Sequence, residues 1–350
     1  MRSITFRMQW GAAIAALVMC AVPAALVAAD GPGTAGELPA AESSEPAAAA
    51  ADWTGAEPAE PEFRFGPGPG ESRGTLFQWS YGTSFGGGPP LDGPLETDRP
   101  DFTEAGTTVG KGVLQVEAGY TYIYDADGTT SVRTQSFGEP LFRYGVFADW
   151  LEFRLAVFPV EERTVTGGAR TRTAGTEDLY LGFKIALTPQ EGLLPEMALI
   201  PQATVPTGSN AFTNDEMHPG VNWIYAWEIN DFLSTAGSTQ VNRARDTGGA
   251  LPIAGPIIHA GSAGGRATTY YEFAQSWTVA YSLSERLGAY TEWFAIIPSG
   301  AETAQTQHYA DGGFTYLLSD DVQFDVRAGK GLNSAADDYF VGTGLSVRFR

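Results

Sequence analysis

The chain of 350 residues holds one cysteine, three histidines and about half as many basic as acidic residues. The cysteine, Cys20, lies inside an N-terminal apolar stretch, so once that stretch is removed neither a disulfide nor thiol chemistry remains. A balance of 21 Lys and Arg against 41 Asp and Glu, net −20, excludes nucleic acid as a partner, because phosphate binding needs a basic surface. The same acidity suits a soluble halophilic protein and an outer-membrane protein with acidic loops equally well. Beyond the N-terminus no apolar run reaches about eighteen residues, so a helical membrane span is excluded. Glycine, at 43 residues, and aromatics, at 12%, are plentiful, which favours strands and turns over helices.

Residues 1–29 read as a secretory signal. Arg2 and Arg7 open it, Gly11 to Val22 form the apolar core, and Val27-Ala28-Ala29 supply small residues for cleavage. Met19, just before Cys20, is too large for lipoprotein processing. Residues 30–90, rich in Ala, Pro and Gly with a Gly66-Pro-Gly-Pro-Gly70 repeat, read as a disordered linker, because dense proline blocks both helix and sheet. A short folded piece around Leu76 to Tyr81 is one exception to test, and a tether to another envelope component is the alternative role. Residues 91–111 form a polar turn segment or plug, and 112–350 the folded body.

That body alternates. Leu114, Val116, Ala118, Tyr120, Tyr122 and Tyr124 share one face, with Gln115, Glu117, Gly119, Thr121 and Ile123 on the other. Val322, Phe324, Val326 and Ala328 oppose Gln323, Asp325, Arg327 and Gly329. In Tyr271 to Tyr281 only Gln275 interrupts the apolar face, and around Pro201 the alternation is poor. Five short connections, at 147–150, 188–195, 230–232, 283–287 and 318–322, alternate with six longer Gly/Thr-rich ones. The longer ones are expected at Asp125 to Ser131, Glu161 to Gly175, Thr207 to Gly220, Asn242 to Arg266, Pro298 to Thr303 and Gly331 to Asp337. Twelve strands sorted in this way predict an all-β fold, a transmembrane antiparallel β-barrel with tight periplasmic turns and longer outer loops. Trp150, Trp223, Tyr225, Trp227, Trp277 and Trp293 would form its interfacial girdles. A soluble sandwich also alternates, but its second face usually meets water with more Lys and Glu.

Thr97-Asp-Arg-Pro-Asp-Phe-Thr-Glu104, then Lys111-Gly-Val-Leu-Gln-Val-Glu-Ala-Gly-Tyr120, resembles the opening of an outer-membrane family named from the meta-pathway of phenol degradation. The likeness runs on through Phe142 to Arg154 and Gly175 to Lys184, spanning roughly residues 95–350. Ser commonly stands in the family where Ala105 stands here. The resemblance implies a transporter of small hydrophobic or aromatic solutes.

The octet holds four charges, Asp98, Arg99, Asp101 and Glu104. It reads either as a plug, with Arg99 paired to a lumen carboxylate such as Glu117, or as a rigid turn that starts the first strand. Alternation sends Glu117, Glu152, Arg154, Lys184, Glu228, Glu272, Glu292, Asp311, Asp325, Arg327 and Arg348 inward. Such rings of charge set selectivity in channels, and this acid excess would favour cations or neutral solutes. A salt-bridge network filling a narrow lumen is the competing reading.

His218 and His259 sit in long loops and His308 opens a strand after one; Asp215-Glu-Met-His218 could bind a metal, but a lone histidine on a polar loop is usually only solvated, so no cofactor or metal is expected. A wall-facing His308 with a serine would be needed for a lipid hydrolase; the Gly-x-Ser-x-Gly matches at Gly70 to Gly74 and Gly82 to Gly86 fall in the Pro/Gly-rich linker, without the strand-then-helix context of a nucleophile elbow, so no enzyme is expected. The expected function is passive passage of a small solute across the cell outer membrane; the alternative is a plugged barrel acting as an anchor. Expected partners are outer-membrane lipid, the small-molecule solute and the outer-membrane assembly machinery. Phe349 is penultimate rather than terminal, a departure from the usual barrel ending.

Overall fold

In a computed structural model of the chain, the residues described are 76–78, 82–83, 93–246 and 268–350. The expected signal, most of the linker, and residues 247–267 with His259 lie outside them. The piece expected near Leu76 is a two-residue ladder, β1 (Phe77–Gln78) with β2 (Gly82–Thr83).

Alternating segments become strands because one face can meet lipid while the other lines an interior. They are β3 (Leu114–Asp127), β4 (Thr130–Gly145), β5 (Leu151–Ala156), β6 (Pro159–Thr166), β7 (Ala169–Thr176), β8 (Leu179–Thr188), β9 (Glu196–Val205) and β10 (His218–Glu228). There follow β11 (Leu233–Asp246), β12 (Thr268–Ser282), β13 (Leu287–Ser299), β14 (Gln307–Ser319), β15 (Val322–Gly331) and β16 (Tyr339–Phe349). Neighbours in sequence pair antiparallel except β5 with β6 and β7 with β8, and β3 pairs with both β4 and β16, so the sheet closes. Closure leaves no strand edge inside hydrocarbon, where an unpaired backbone group is costly.

β5 and β6 are halves of one strand, since both pair with β4, Leu141 opposite Ala156 and Ser136 opposite Val160. β7 and β8 continue one another in the same way, against β6 and β5. Counted so, the barrel has twelve strands. The interruption has a local cause: Pro140 and Pro159 lack an N–H, and Gly138 and Glu139 take φ of 74° and 38°. Around Pro201 the sequence alternates poorly, yet β9 is regular; the β8–β9 register shifts between Ala186 and Thr188.

Burial is inside out relative to a soluble protein. On β15 Asp325 is 0% exposed, whereas Phe324 is 43% exposed. A continuous outer belt of exposed Phe, Trp, Tyr and Val is what lipid requires and water would not tolerate. Trp223, Tyr225, Trp227 and Trp277 touch one another on this surface. Tyr225 lies across Gly237, where a Cβ would come within 2.5 Å of its ring. Gln275, the polar interruption, bonds the Tyr225 and Thr239 hydroxyls.

Two expected long connections are corrected. Asp125 to Ser131 is mostly strand with a turn at Gly128-Thr129, and Glu161 to Gly175 is the β6–β7 hairpin. The hairpin turns at Gly167-Gly168, both at positive φ, which favours a tight reversal without a loop.

Candidate functional site

The interior is organised by residues 93–111, which fold into the barrel from the end bearing the short turns. Arg348 donates to the Gly93 carbonyl at 2.6 Å, and Leu95 N–H donates to the Asp320 carbonyl at 2.7 Å. Gln323 donates to the Thr97 hydroxyl at 2.7 Å.

Asp98 is the hub. Its carboxylate meets Arg154 Nη1 at 2.7 Å, Lys184 Nζ at 2.5 Å and Arg143 Nε at 3.2 Å, all fully buried. Its own N–H donates to Glu117, and the Ala105 N–H donates back to its Oδ1 at 3.0 Å. The three cations are shared with wall and plug carboxylates. Arg143 holds Glu117 and Glu152, each at 2.8 Å, and Arg154 holds Glu104 at 2.5 Å. Three cations thus face four carboxylates in a site without water contact, and each charge is tolerable there only because it is paired.

Arg99 occupies a slot made by absence. Gly119 and Gly344 are cross-strand partners on β3 and β16, and a Cβ on either would come within 2.4 Å of its guanidinium. In the slot Nη1 binds Glu139 at 2.8 Å, Nε approaches Asp325 at 3.4 Å, and Nη2 donates to the Thr343 carbonyl at 3.2 Å. The partner of Arg99 is therefore not Glu117, which Arg143 and the Asp98 N–H already occupy.

The tip of the plug binds the far wall. The Phe102 and Thr103 N–H groups donate to Glu292 at 2.6 and 2.8 Å, and the Thr103 hydroxyl lies 2.6 Å from Ser276. Arg327 donates to the Pro100 carbonyl and the Thr121 hydroxyl. Asn222 donates to Glu104 at 3.1 Å. On the way out, Val109 N–H donates to Glu152 and Lys111 N–H to Asp149.

Beyond the plug the interior holds two apolar clusters among its polar side chains. The Phe102 ring stacks on Phe294 at 4.6 Å, and Phe294 on Tyr309 at 4.8 Å, with Phe340 beside them. Ala336, from the connection at 332–338, completes this cluster. Across the lumen Phe158, Val160, Tyr180 and Phe212 form a second one.

Of the residues expected inside, Glu117, Glu152, Arg154, Lys184, Glu292, Asp325 and Arg327 all touch the plug or its cations. Glu272 accepts from the Tyr270 hydroxyl, and Asp311 from Tyr290. Arg348 is at the mouth, bound to Asp321, and Glu228 is exposed at the end of β10. Asp101 is half-buried beside Asp311. Sequence reasoning did not single out Arg143 and Glu139, although the alternation Glu139, Leu141, Arg143, Gly145 carries that signal. His308 stacks on Trp293 at 5.9 Å, and its ring makes no bond to a serine among the described residues. No metal-ligand cluster occurs among the described residues.

Among solved structures, an outer-membrane channel from Pseudomonas putida F1 is similar at TM-score 0.52 and 11% identity, over 73% of this chain and 100% of that one. Weaker likenesses, at TM-scores of 0.42 and 0.36, link it to two further barrels. One is the translocator domain of the autotransporter NalP from Neisseria meningitidis (10% identity; 69% and 89% covered). The other is the CymD monoaromatic hydrocarbon channel (10% identity; 68% and 88% covered). No curated protein sequence matches. The first likeness establishes the architecture, a closed barrel of the outer-membrane type. The family described as "Putative MetA-pathway of phenol degradation" matches residues 97–349, from the octet to the last strand. The chain belongs to that family.

Proposed function

We propose that the protein is an outer-membrane channel for passive passage of a small apolar or aromatic solute. The observation that carries this is the buried aromatic stack of Phe102, Phe294 and Tyr309, an apolar lining that a ring rather than an ion would meet where Phe102 withdraws with the plug. The family description agrees with it. The inward charges bind the plug, so their role in this reading is to hold the plug rather than to select ions. Export by the signal at 1–29 and insertion by the outer-membrane assembly machinery belong to the same proposal.

A second reading, a sealed barrel serving as an anchor, is favoured by the number of buried ion pairs that fix the plug. Proteoliposomes separate the two. A channel admits toluene faster than protein-free vesicles do, with little ionic conductance in a planar bilayer. A folded barrel that passes neither toluene nor ions supports the anchor and refutes the channel. A large cation-preferring conductance would instead restore the inward carboxylates as a selectivity ring.

A further inference from the structure

One strip of the interior is neither ion-paired nor apolar. On β9, β10 and β11 the inward residues Thr204, His218, Asn222 and Gln240, with Asn214 from the connection above, are each at most 3% exposed. All carry side-chain polar atoms without a partner: Thr204 Oγ1, both His218 ring nitrogens, Asn222 Oδ1, Gln240 Nε2, and both polar atoms of the Asn214 amide. The register sets these in two pairs along one line, with Gly220 and the mutually bonded Gln202 and Asn242 between them. His218 is opposite Thr204, and Asn222 is opposite Gln240. From Asn222 to His218 it spans four residues of β10, about 13 Å at strand rise.

Its inner end touches the plug, where Asn222 donates to Glu104. Ile200 and Ile224, both buried, lie on the same inward faces of β9 and β10. Buried polar atoms left unpaired are costly, and native interiors keep few of them. Five side chains in one strip therefore imply an occupant that bonds to them. The strip's own side chains carry no charge, and the charged groups at its ends are engaged, Glu104 by Arg154, Arg243 by Glu216 and Arg245 by Asp215, so an ionised occupant would find no free counter-charge there.

We infer that this strip is a binding track for a small uncharged solute that joins an apolar body to a hydroxyl or amide group. The polar group would exchange hydrogen bonds with Thr204, His218, Asn222 and Gln240 in turn, while the body rests on Ile200 and Ile224. The inference rests on the passage reading above and narrows its solute class.

The test uses the refolded full chain with three ring compounds: benzyl alcohol, toluene and benzoate. Calorimetry in detergent should show benzyl alcohol binding more tightly than toluene, and benzoate not binding. Thr204→Val, an isosteric change, and His218→Leu should each weaken benzyl alcohol about tenfold, equivalent to about 1.4 kcal/mol, and leave toluene unchanged. Both variants remove unpartnered groups, so heat stability should hold or rise; Thr204→Val keeps the test valid should His218→Leu fold poorly. Equal losses for both solutes, no loss for either, or tight benzoate binding would overturn the track. Uptake by proteoliposomes is read separately. Binding that follows the variants without any uptake would refute the passage reading alone, and uptake indifferent to them would refute the track alone.

Discussion

Replacing Asp98 with asparagine keeps the size of the side chain and removes one charge from the centre of the plug. Arg143, Arg154 and Lys184 then share three carboxylates, Glu104, Glu117 and Glu152, in place of four. Lys184 suffers most, because Asp98 is its ion-pair partner and the Ala105 carbonyl its other acceptor. Breaking a buried pair by removing one partner costs about 3–5 kcal/mol. Little of that cost falls on the barrel, whose strands are held by backbone ladders that do not involve Asp98. It falls on the docking of 93–111, so the ratio of undocked to docked plug should rise by roughly two to three and a half decades. Two assays read this. Proteoliposomes should admit toluene faster and show ionic conductance absent from the parent protein, and limited proteolysis should cut within 93–111 while the barrel core survives. A variant that stays sealed and resists cleavage, with normal heat-modifiable migration, would refute the view that charge pairing holds the plug.

Other outcomes follow from the same geometry. Gly344→Ala puts a methyl group into the slot of the Arg99 guanidinium, and because that head is pinned to Glu139 and Asp325 it must leave; conductance should rise as with Asp98→Asn, whereas Gly128→Ala, at an open turn, should leave it unchanged. Trp277→Arg places a charge on the lipid face midway along β12 and should cost about 2–4 kcal/mol, read by urea unfolding in vesicles. At the mouth bearing the short turns, burial alone would push the Asp321 carboxyl up, but Arg348 and Arg350 outweigh it and hold it below the usual carboxylate range. Its contribution is therefore present above the ordinary carboxylate pKa near 4 and lost as pH falls through the lowered value; thermal unfolding of Asp321→Asn should show a smaller drop between pH 5 and pH 2 than the parent protein.

The strands, their inward and outward faces and the octet as a distinct unit were legible in the sequence. Alternation is a local property of extended chain, and a membrane forces each apolar face outward, so Gln323, Asp325 and Arg327 point inward whatever their neighbours. The bulge was not legible. Outward Phe137 and inward Glu139 bracket a change of parity at Gly138, whose positive φ the letters do not announce. Nor were the plug's partners. Arg99 meets Glu139 and Asp325, distant in sequence, because closure of β3 on β16 sets Gly119 beside Gly344 and opens a slot between them. The same closure gives Glu117 to Arg143 and turns the inward acids from a presumed ring of selectivity into acceptors for the plug's N–H groups. By itself the sequence determined which side chains enter the lumen, since that depends on period and solvent. Which of them meet was decided by strand register and barrel closure, which bring together residues that no local pattern connects.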